Sequence, residues 1–327
     1  DFAIRAELDA VTSGNLEARF FTDSTPGTIN NQGAAGVVAD TDFSLDRGII
    51  AESDRDANGQ IHVEITSLTA DAAIYYTTDG TVPGATNGTL YTGPIAIGKT
   101  TTLRAAAFKD GFLPTDVDTQ TYLFLEDVVH QSNAPEGYPP HWNGEPVDYG
   151  MTPFPADQRA IANNPNATTE EYEQVIVDSL LSLPTMSIVM APEDLFGPAN
   201  GIYSNTYPRG EDWERAASIE YILPDGSEGF QVNAALQMMG WTSRIPGVSP
   251  KHTMRIVFKD EFGPGRLNYQ YFPDLNVDSF NTIALRSNSR DAWIGDNGGI
   301  QNAGSREARP FASYIRDQWA RETEAAM

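Results

Sequence analysis

A mainly β fold in two parts is what the sequence predicts: a β-sandwich followed by an α+β domain built on an antiparallel sheet. Three observations predict it. Between residues 42 and 124 short alternating runs recur, separated by Gly, Asp and Asn turns and without helical periodicity. A second series of alternating runs fills 183–286, and an amphipathic stretch at 310–326 follows it. Between the two lies a segment rich in proline and aromatic residues that ends on one helix-patterned stretch. The expected organisation is 1–35, the end of a preceding β-domain and a linker; 36–125, the sandwich; 126–182, a connector with a short helix; and 183–327, the second domain.

Composition narrows the function classes. With 21 Lys and Arg against 45 Asp and Glu, the chain carries a net charge of −24, which argues against nucleic acid or anionic lipid as a partner. The absence of cysteine removes disulfides, thiolate zinc sites and a cysteine nucleophile. The four histidines, His62, His130, His141 and His252, show no metal-binding spacing. No apolar run approaches the roughly 18 residues that a membrane helix needs. The chain opens on Asp1 with no basic, apolar leader, so it reads as a fragment or processed product of a longer protein.

In chain order, Phe2, Ile4, Ala6 and Leu8 alternate, as do Leu16, Ala18 and Phe20 after a Ser13–Gly14–Asn15 turn, which predicts a hairpin. The sandwich runs are IHVEIT, AAIYYTT, TLYTGPIAI, TTTLRAAAF and TQTYLF, with Asp79–Gly80 as a tight turn and Leu103, Ala105 and Ala107 as one packed face. The segment from AAIYYTTDGTVPG to TTTLRAAAFKDGF resembles the small immunoglobulin-like module at the C-terminus of chitobiase and β-hexosaminidase. That resemblance implies an immunoglobulin-like β-sandwich and an extracellular setting.

Within the sandwich, GPIAIGKT (93–100) fits the phosphate-loop pattern, but the β-branched Thr100, Thr101 and Thr102 lead into a strand and not a helix. Asn87 and Asn166 each head a glycosylation acceptor triplet. Asp54, Asp56 and Asn58, followed by Gly59, reproduce the first half of a calcium loop, in which alternating oxygens converge on the ion; these three are the candidate calcium ligands. The twelfth position is Ile65, which cannot supply the bidentate carboxylate, so a plain acidic loop is the competing reading.

The connector carries Tyr138, Trp142 and Tyr149 as aromatic anchors. Thr168 or Thr169 followed by Glu170 and Glu171 starts a helix with Tyr172, Val175, Ile176 and Leu180 on one face, which Pro184 ends. Strands are then expected at 186–190, 201–204, 217–223, 230–239, 253–258 and 281–286, with Asp225–Gly226 turning between two of them.

The second domain is organised around 238–259, MMGWTSRIPGVSPKHTMRIVFK, where a strand, a glycine- and proline-punctuated turn and a second strand gather Arg244, Lys251, His252, Arg255 and Lys259. In so acidic a chain this grouping makes a local positive field that suits phosphate groups, or else a solvated hairpin. Gly240, Ser243, Arg244 and Lys251, together with LPTMSIVM, GIYSN, Trp213–Glu214–Arg215, NTIALRSNSRDAW and YIRDQWARE, resemble the N-terminal half of the CotH family of atypical protein kinases, in that family's order over 183–327. The resemblance implies a kinase N-lobe that binds ATP with Mg or Mn. Lys251 would hold the phosphates and pair with Asp317 or Glu322, with Ser243, Arg244 and Arg286 around the nucleotide.

No equivalent of the metal-binding and acceptor-orienting motifs of phosphoryl transfer is found in these residues, so the expectation is an N-terminal part of a secreted or cell-surface, bacterial-type kinase acting on a protein substrate, not catalytically complete by itself. The alternative is a modular extracellular protein without catalysis, acting in a matrix, by self-association or by glycan binding. A glycan surface on the sandwich would use Tyr75, Tyr76, Tyr91 and Tyr122, some of which alternation assigns to the core. No carboxylate pair is selected for glycoside hydrolysis.

Overall fold

A computed structural model describes the backbone strands 3–8 and 16–21 and residues 33–142, 145–147, 149–151, 166, 168–246, 252–272 and 276–287. The protein is mainly β, with several antiparallel sheets and an immunoglobulin-like module. Its described residues fall into two compact units of interleaved segments. Those up to Val129, with those of 153–189 and 218–231, form the first; those of 130–152, 190–217 and from Val232 onward form the second.

The first unit begins with the expected hairpin, Ala3–Leu8 paired antiparallel with Leu16–Phe21. Its sandwich has a five-stranded sheet in the order Gly48–Ile49, Asp118–Leu123, Thr101–Phe108, Ala73–Thr77, Thr89–Leu90. The facing layer consists of short antiparallel pairs, Ile61–Val63 with Ile95–Ile97 and Thr41–Phe43 with Ile65–Ser67. Between the layers Val63, Ile65, Ile97, Leu103, Ala105, Tyr122 and Phe124 form the core. The ring of Tyr122 is wholly buried and its hydroxyl donates to the Leu45 carbonyl at 2.7 Å, so the one polar atom it brings inside is satisfied.

Thr101–Phe108 departs from simple alternation. Leu103, Ala105 and Ala107 are buried as expected, but Arg104 and Ala106 on the other face are buried too. The reason is a second covering layer: Thr185–Val189 pairs antiparallel with the chain up to Ile222, Thr185↔Ile222 through Val189↔Ser218, and this ladder lays Ser187 and Glu220 against Thr121. Both faces of the sandwich's main sheet are therefore dry where it carries Thr119 and Thr121.

Helix Thr169–Leu181 starts on Thr168, whose hydroxyl accepts from the Glu171 N–H while the Glu171 carboxylate accepts from the Thr168 N–H. This capping box satisfies two of the amide donors that a helix start leaves unpaired. Leu125–Val129, read as connector in the sequence, is a one-turn helix.

In the second unit Phe230–Met238 pairs through Ala235–Met238 with Met254–Val257, which in turn pairs with Thr282–Leu285, so Met254–Val257 is an inner strand. Gly201 to Ser204 is not a strand. It is a turn closed onto helix Pro192–Phe196 by Ile202 N–H to Asp194 O (3.0 Å) and Tyr203 N–H to Leu195 O (2.8 Å). A side chain on Gly201 would meet the Gly197 backbone, and local closure has displaced the extended conformation that its neighbours favour. The aromatic anchors do assemble. Trp142 lies parallel to Phe196 (6.3 Å, 12°) and 4.6 Å from the Tyr203 ring, while its indole N–H donates to the Tyr149 hydroxyl at 3.0 Å.

Candidate functional site

The turn that follows Phe230–Met238 is built by the residues on which the kinase resemblance rests. Gly240 has φ +101°, a conformation that glycine adopts without strain, and a β-carbon there would collide with the Ser243 hydroxyl. Ser243 donates to the Met239 carbonyl at 3.2 Å, tying the short 3₁₀ turn Thr242–Arg244 back to the strand end.

Arg244 is only 6 % exposed. Its guanidinium donates to the carbonyls of Thr206 (3.2 Å), Tyr207 (3.5 Å), Pro208 (2.9 Å) and Met238, and the Thr206 hydroxyl donates back to the Arg244 carbonyl at 2.6 Å. A planar five-donor group suits this job of gathering carbonyls from two chain segments. Burial, then the charges of Arg209 and Arg255, hold its pKa below the ordinary arginine value.

His252 closes the other end of the turn. It is 2 % exposed, its Nδ1 donates to the Ser243 carbonyl at 2.7 Å, and its main-chain N–H donates to the Tyr203 hydroxyl at 3.2 Å. The acceptor fixes the tautomer as Nδ1–H, and Nε2 has no hydrogen-bond partner among the described residues. Burial lowers its pKa, so the ring is neutral near pH 7.

Lys251, Asp317 and Glu322 lie outside the described residues. Arg286 is exposed and follows the Leu285↔Met254 pair, at the end of the ladder where Ser287 N–H donates to the Thr253 hydroxyl at 3.2 Å. The sheet register thus brings Ser243, Arg244, His252 and Arg286 to one end of one ladder.

The positive field expected from the whole basic set is smaller than its charge count. Lys259 Nζ is paired with Glu214 (2.7 Å) and Glu211 (2.9 Å), which raise its pKa. Arg255 Nε donates to Gln237 at 2.8 Å. Arg244 points into backbone.

The calcium-loop residues close on their own chain. Asp56 Oδ1 accepts from the Asn58 and Gln60 amides (2.7 and 3.0 Å), and Oδ2 faces His62 Nε2 at 3.1 Å. The Gln60 amide first, then His62, hold Asp56 down to about 2. Asp54 accepts from the Ala51 amide at 3.2 Å, and Asn58 Nδ2 lies 3.5 Å from Asp56 Oδ2. Among the described residues no group of three carboxylate or histidine side chains is arranged to hold a metal ion. In the phosphate-loop pattern the Thr100 N–H donates to the Asp127 carboxylate at 2.7 Å, the opposite of a phosphate cradle.

One group that sequence reasoning missed is Glu220. It is 0 % exposed, accepts from the Thr121 N–H at 2.9 Å and from the Thr121 hydroxyl, and lies 3.3 Å from Arg47 Nε. Burial pushes its carboxyl above the ordinary glutamate range despite these partners. The available signal was a carboxylate placed in the apolar run SIEYI, on the face opposite Ile219 and Tyr221.

Residues 55–119 match the family model of the chitobiase/β-hexosaminidase C-terminal domain, the span that contains Asp56, the Asp79–Gly80 turn and the strand Thr101–Phe108. No curated protein and no solved structure matches the chain. Among the described residues no helix is long and apolar enough to cross a membrane.

Proposed function

We propose that 183–327 is the nucleotide-facing part of an atypical, CotH-like protein kinase, displayed outside the cell with the immunoglobulin-like module ahead of it. The observation that carries this reading is the turn 238–252: Gly240, Ser243, Arg244 and His252 lock a rigid loop that feeds directly into an inner strand of an antiparallel ladder. In kinase-like folds a lysine on the central N-lobe strand meets the phosphates, and Lys251 stands three residues before Met254–Val257.

Within this proposal Lys251 and Arg286 face the phosphates, Asp317 or Glu322 pairs with Lys251, and Ser243 and Arg244 shape the loop. Arg244 then works as a fastener, because a guanidinium engaged with carbonyls of Thr206, Pro208 and Met238 has few donors left for a phosphate. ATP with Mg or Mn is the proposed cofactor and a protein the proposed acceptor. Transfer also needs metal-binding carboxylates and an acceptor-orienting residue, for which the motifs of these 327 residues supply no candidate. Nucleotide binding without turnover is the expected behaviour of this chain.

A thermal-shift titration with ATP and Mg or Mn tests it. Stabilisation that rises with ATP and disappears in Lys251→Ala supports the proposal; no shift in the unsubstituted chain at saturating ATP contradicts it.

A further inference from the structure

The same turn presents a surface that nucleotide binding does not use. Trp241 is 76 % exposed and Tyr207 is 63 % exposed, the two most exposed of the described large aromatic side chains. They belong to segments 206–208 and 238–244, which buried Arg244 joins: its main-chain N–H donates to Trp241 O at 3.3 Å and its guanidinium reaches Tyr207 O at 3.5 Å. Two exposed rings are thus mounted on a backbone that is already fixed, so little ordering entropy is lost when something settles on them.

We propose that Trp241 and Tyr207 form a carbohydrate-binding platform for a neutral, β-1,4-linked polymer of glucose or N-acetylglucosamine. An all-equatorial pyranose offers a flat C–H face to an indole or phenol ring, and its rim hydroxyls need both donors and acceptors. Both are at hand. The guanidinium of exposed Arg209 sits 5.5 Å over one face of Trp241, leaving the other open, and the exposed carboxylates of Glu211 and Asp212 follow Arg209 by two and three residues.

Those carboxylates discriminate against anionic ligands such as uronates or nucleic acid, as does the chain's net charge of −24. The dimensions favour a sugar over a protein. Two aromatic rings offer about 150–250 Å² each, well below the roughly 800 Å² per partner of a stable protein interface, and charged residues interrupt the apolar area. The site is distinct from the sandwich tyrosines, of which Tyr122 is wholly buried and Tyr75 packs edge-on to Phe108 at 5.8 Å.

The test is calorimetry of the full chain, without nucleotide, against cellohexaose and hexa-N-acetylchitohexaose, with indole fluorescence as a second readout. Expected is binding of at least one hexasaccharide, weakened tenfold or more by Trp241→Ala and by Tyr207→Ala and unchanged by Tyr138→Ala. Because both platform rings are exposed, the variants should keep the parent's melting temperature, which excludes misfolding as the cause. Failure of both sugars to bind, or binding indifferent to Trp241→Ala and Tyr207→Ala, overturns the proposal. So does a Trp241→Ala variant that changes sedimentation but not sugar binding, which would identify the rings as a protein contact.

Discussion

The carboxylate of Glu220 accepts a hydrogen bond from the main-chain N–H of Thr121 at 2.9 Å, ninety-nine residues away in sequence, with no exposure of its own to solvent. Thr121 belongs to the immunoglobulin-like sheet and Glu220 to the ladder formed with Thr185–Val189, so the module is built into a larger unit and is not a bead on a linker. A buried carboxylate that satisfies an otherwise unpaired edge amide and sits beside Arg47 joins the layers with specificity, at a desolvation cost that its partners offset.

Glu220→Ala leaves the Thr121 amide and hydroxyl without their acceptor, and we expect a loss of about 2–4 kcal/mol in denaturant unfolding. Glu220→Gln separates charge from shape. The folded-state pKa of Glu220 is raised, so its contribution to stability is fully present below the unfolded pKa and is lost as pH rises through the folded value. The melting temperature of Glu220→Gln relative to the parent should therefore climb from pH 4 towards pH 8. A flat difference across that range contradicts the buried, raised carboxyl.

His252 has the opposite sign. Burial depresses its pKa, so its contribution is present above the unfolded value and falls away as pH drops through the folded one. Parent stability referenced to His252→Gln should decline below about pH 6.5, the ordinary histidine pKa. An imidazole NMR titration that places the folded pKa above that of a free histidine would refute the assignment.

Arg244 ties two segments through carbonyls at three angles, a geometry that a lysine ammonium cannot reproduce. Arg244→Lys should cost nearly as much as Arg244→Ala, about 2–4 kcal/mol, and should speed amide exchange in 206–209 and 240–244 together. Exchange confined to one of the segments would show that the arginine does not join them.

Gly240→Ala meets a strained φ as well as the Ser243 hydroxyl, and the hydroxyl can rotate away. The expected cost is about 1–2 kcal/mol, most of which survives in Gly240→Ala combined with Ser243→Ala. Full recovery in the double variant would make the clash, and not the backbone, the reason for glycine.

Much of this fold is legible in the sequence wherever structure is local. Alternation in TTTLRAAAF gives the strand Thr101–Phe108, Asp225–Gly226 turns with Gly226 at φ +72°, and the Thr168–Glu171 box starts its helix where expected. What escapes is set by distant partners. Nothing near Glu220 announces that Thr121 will receive it, Arg104 and Ala106 are buried by a layer a hundred residues downstream, and 201–204 has strand-like residues but closes as a turn on Asp194 and Leu195. At the site, Gly240, Ser243 and Arg244 are legible as a motif, yet the direction in which Arg244 points is tertiary information: it turns inward to carbonyls, not outward to a ligand.

The central claim is that this chain presents a nucleotide site organised on Lys251. Calorimetric titration of ATP with Mg or Mn into the parent, Lys251→Ala and Lys109→Ala tests it most directly, Lys109 being an exposed-side cation of the sandwich bonded to the Ala70 carbonyl at 2.8 Å. Saturable, metal-dependent binding by the parent and Lys109→Ala, lost in Lys251→Ala, is the result the account predicts. Absence of binding in all three, or equal binding in all three, would contradict it.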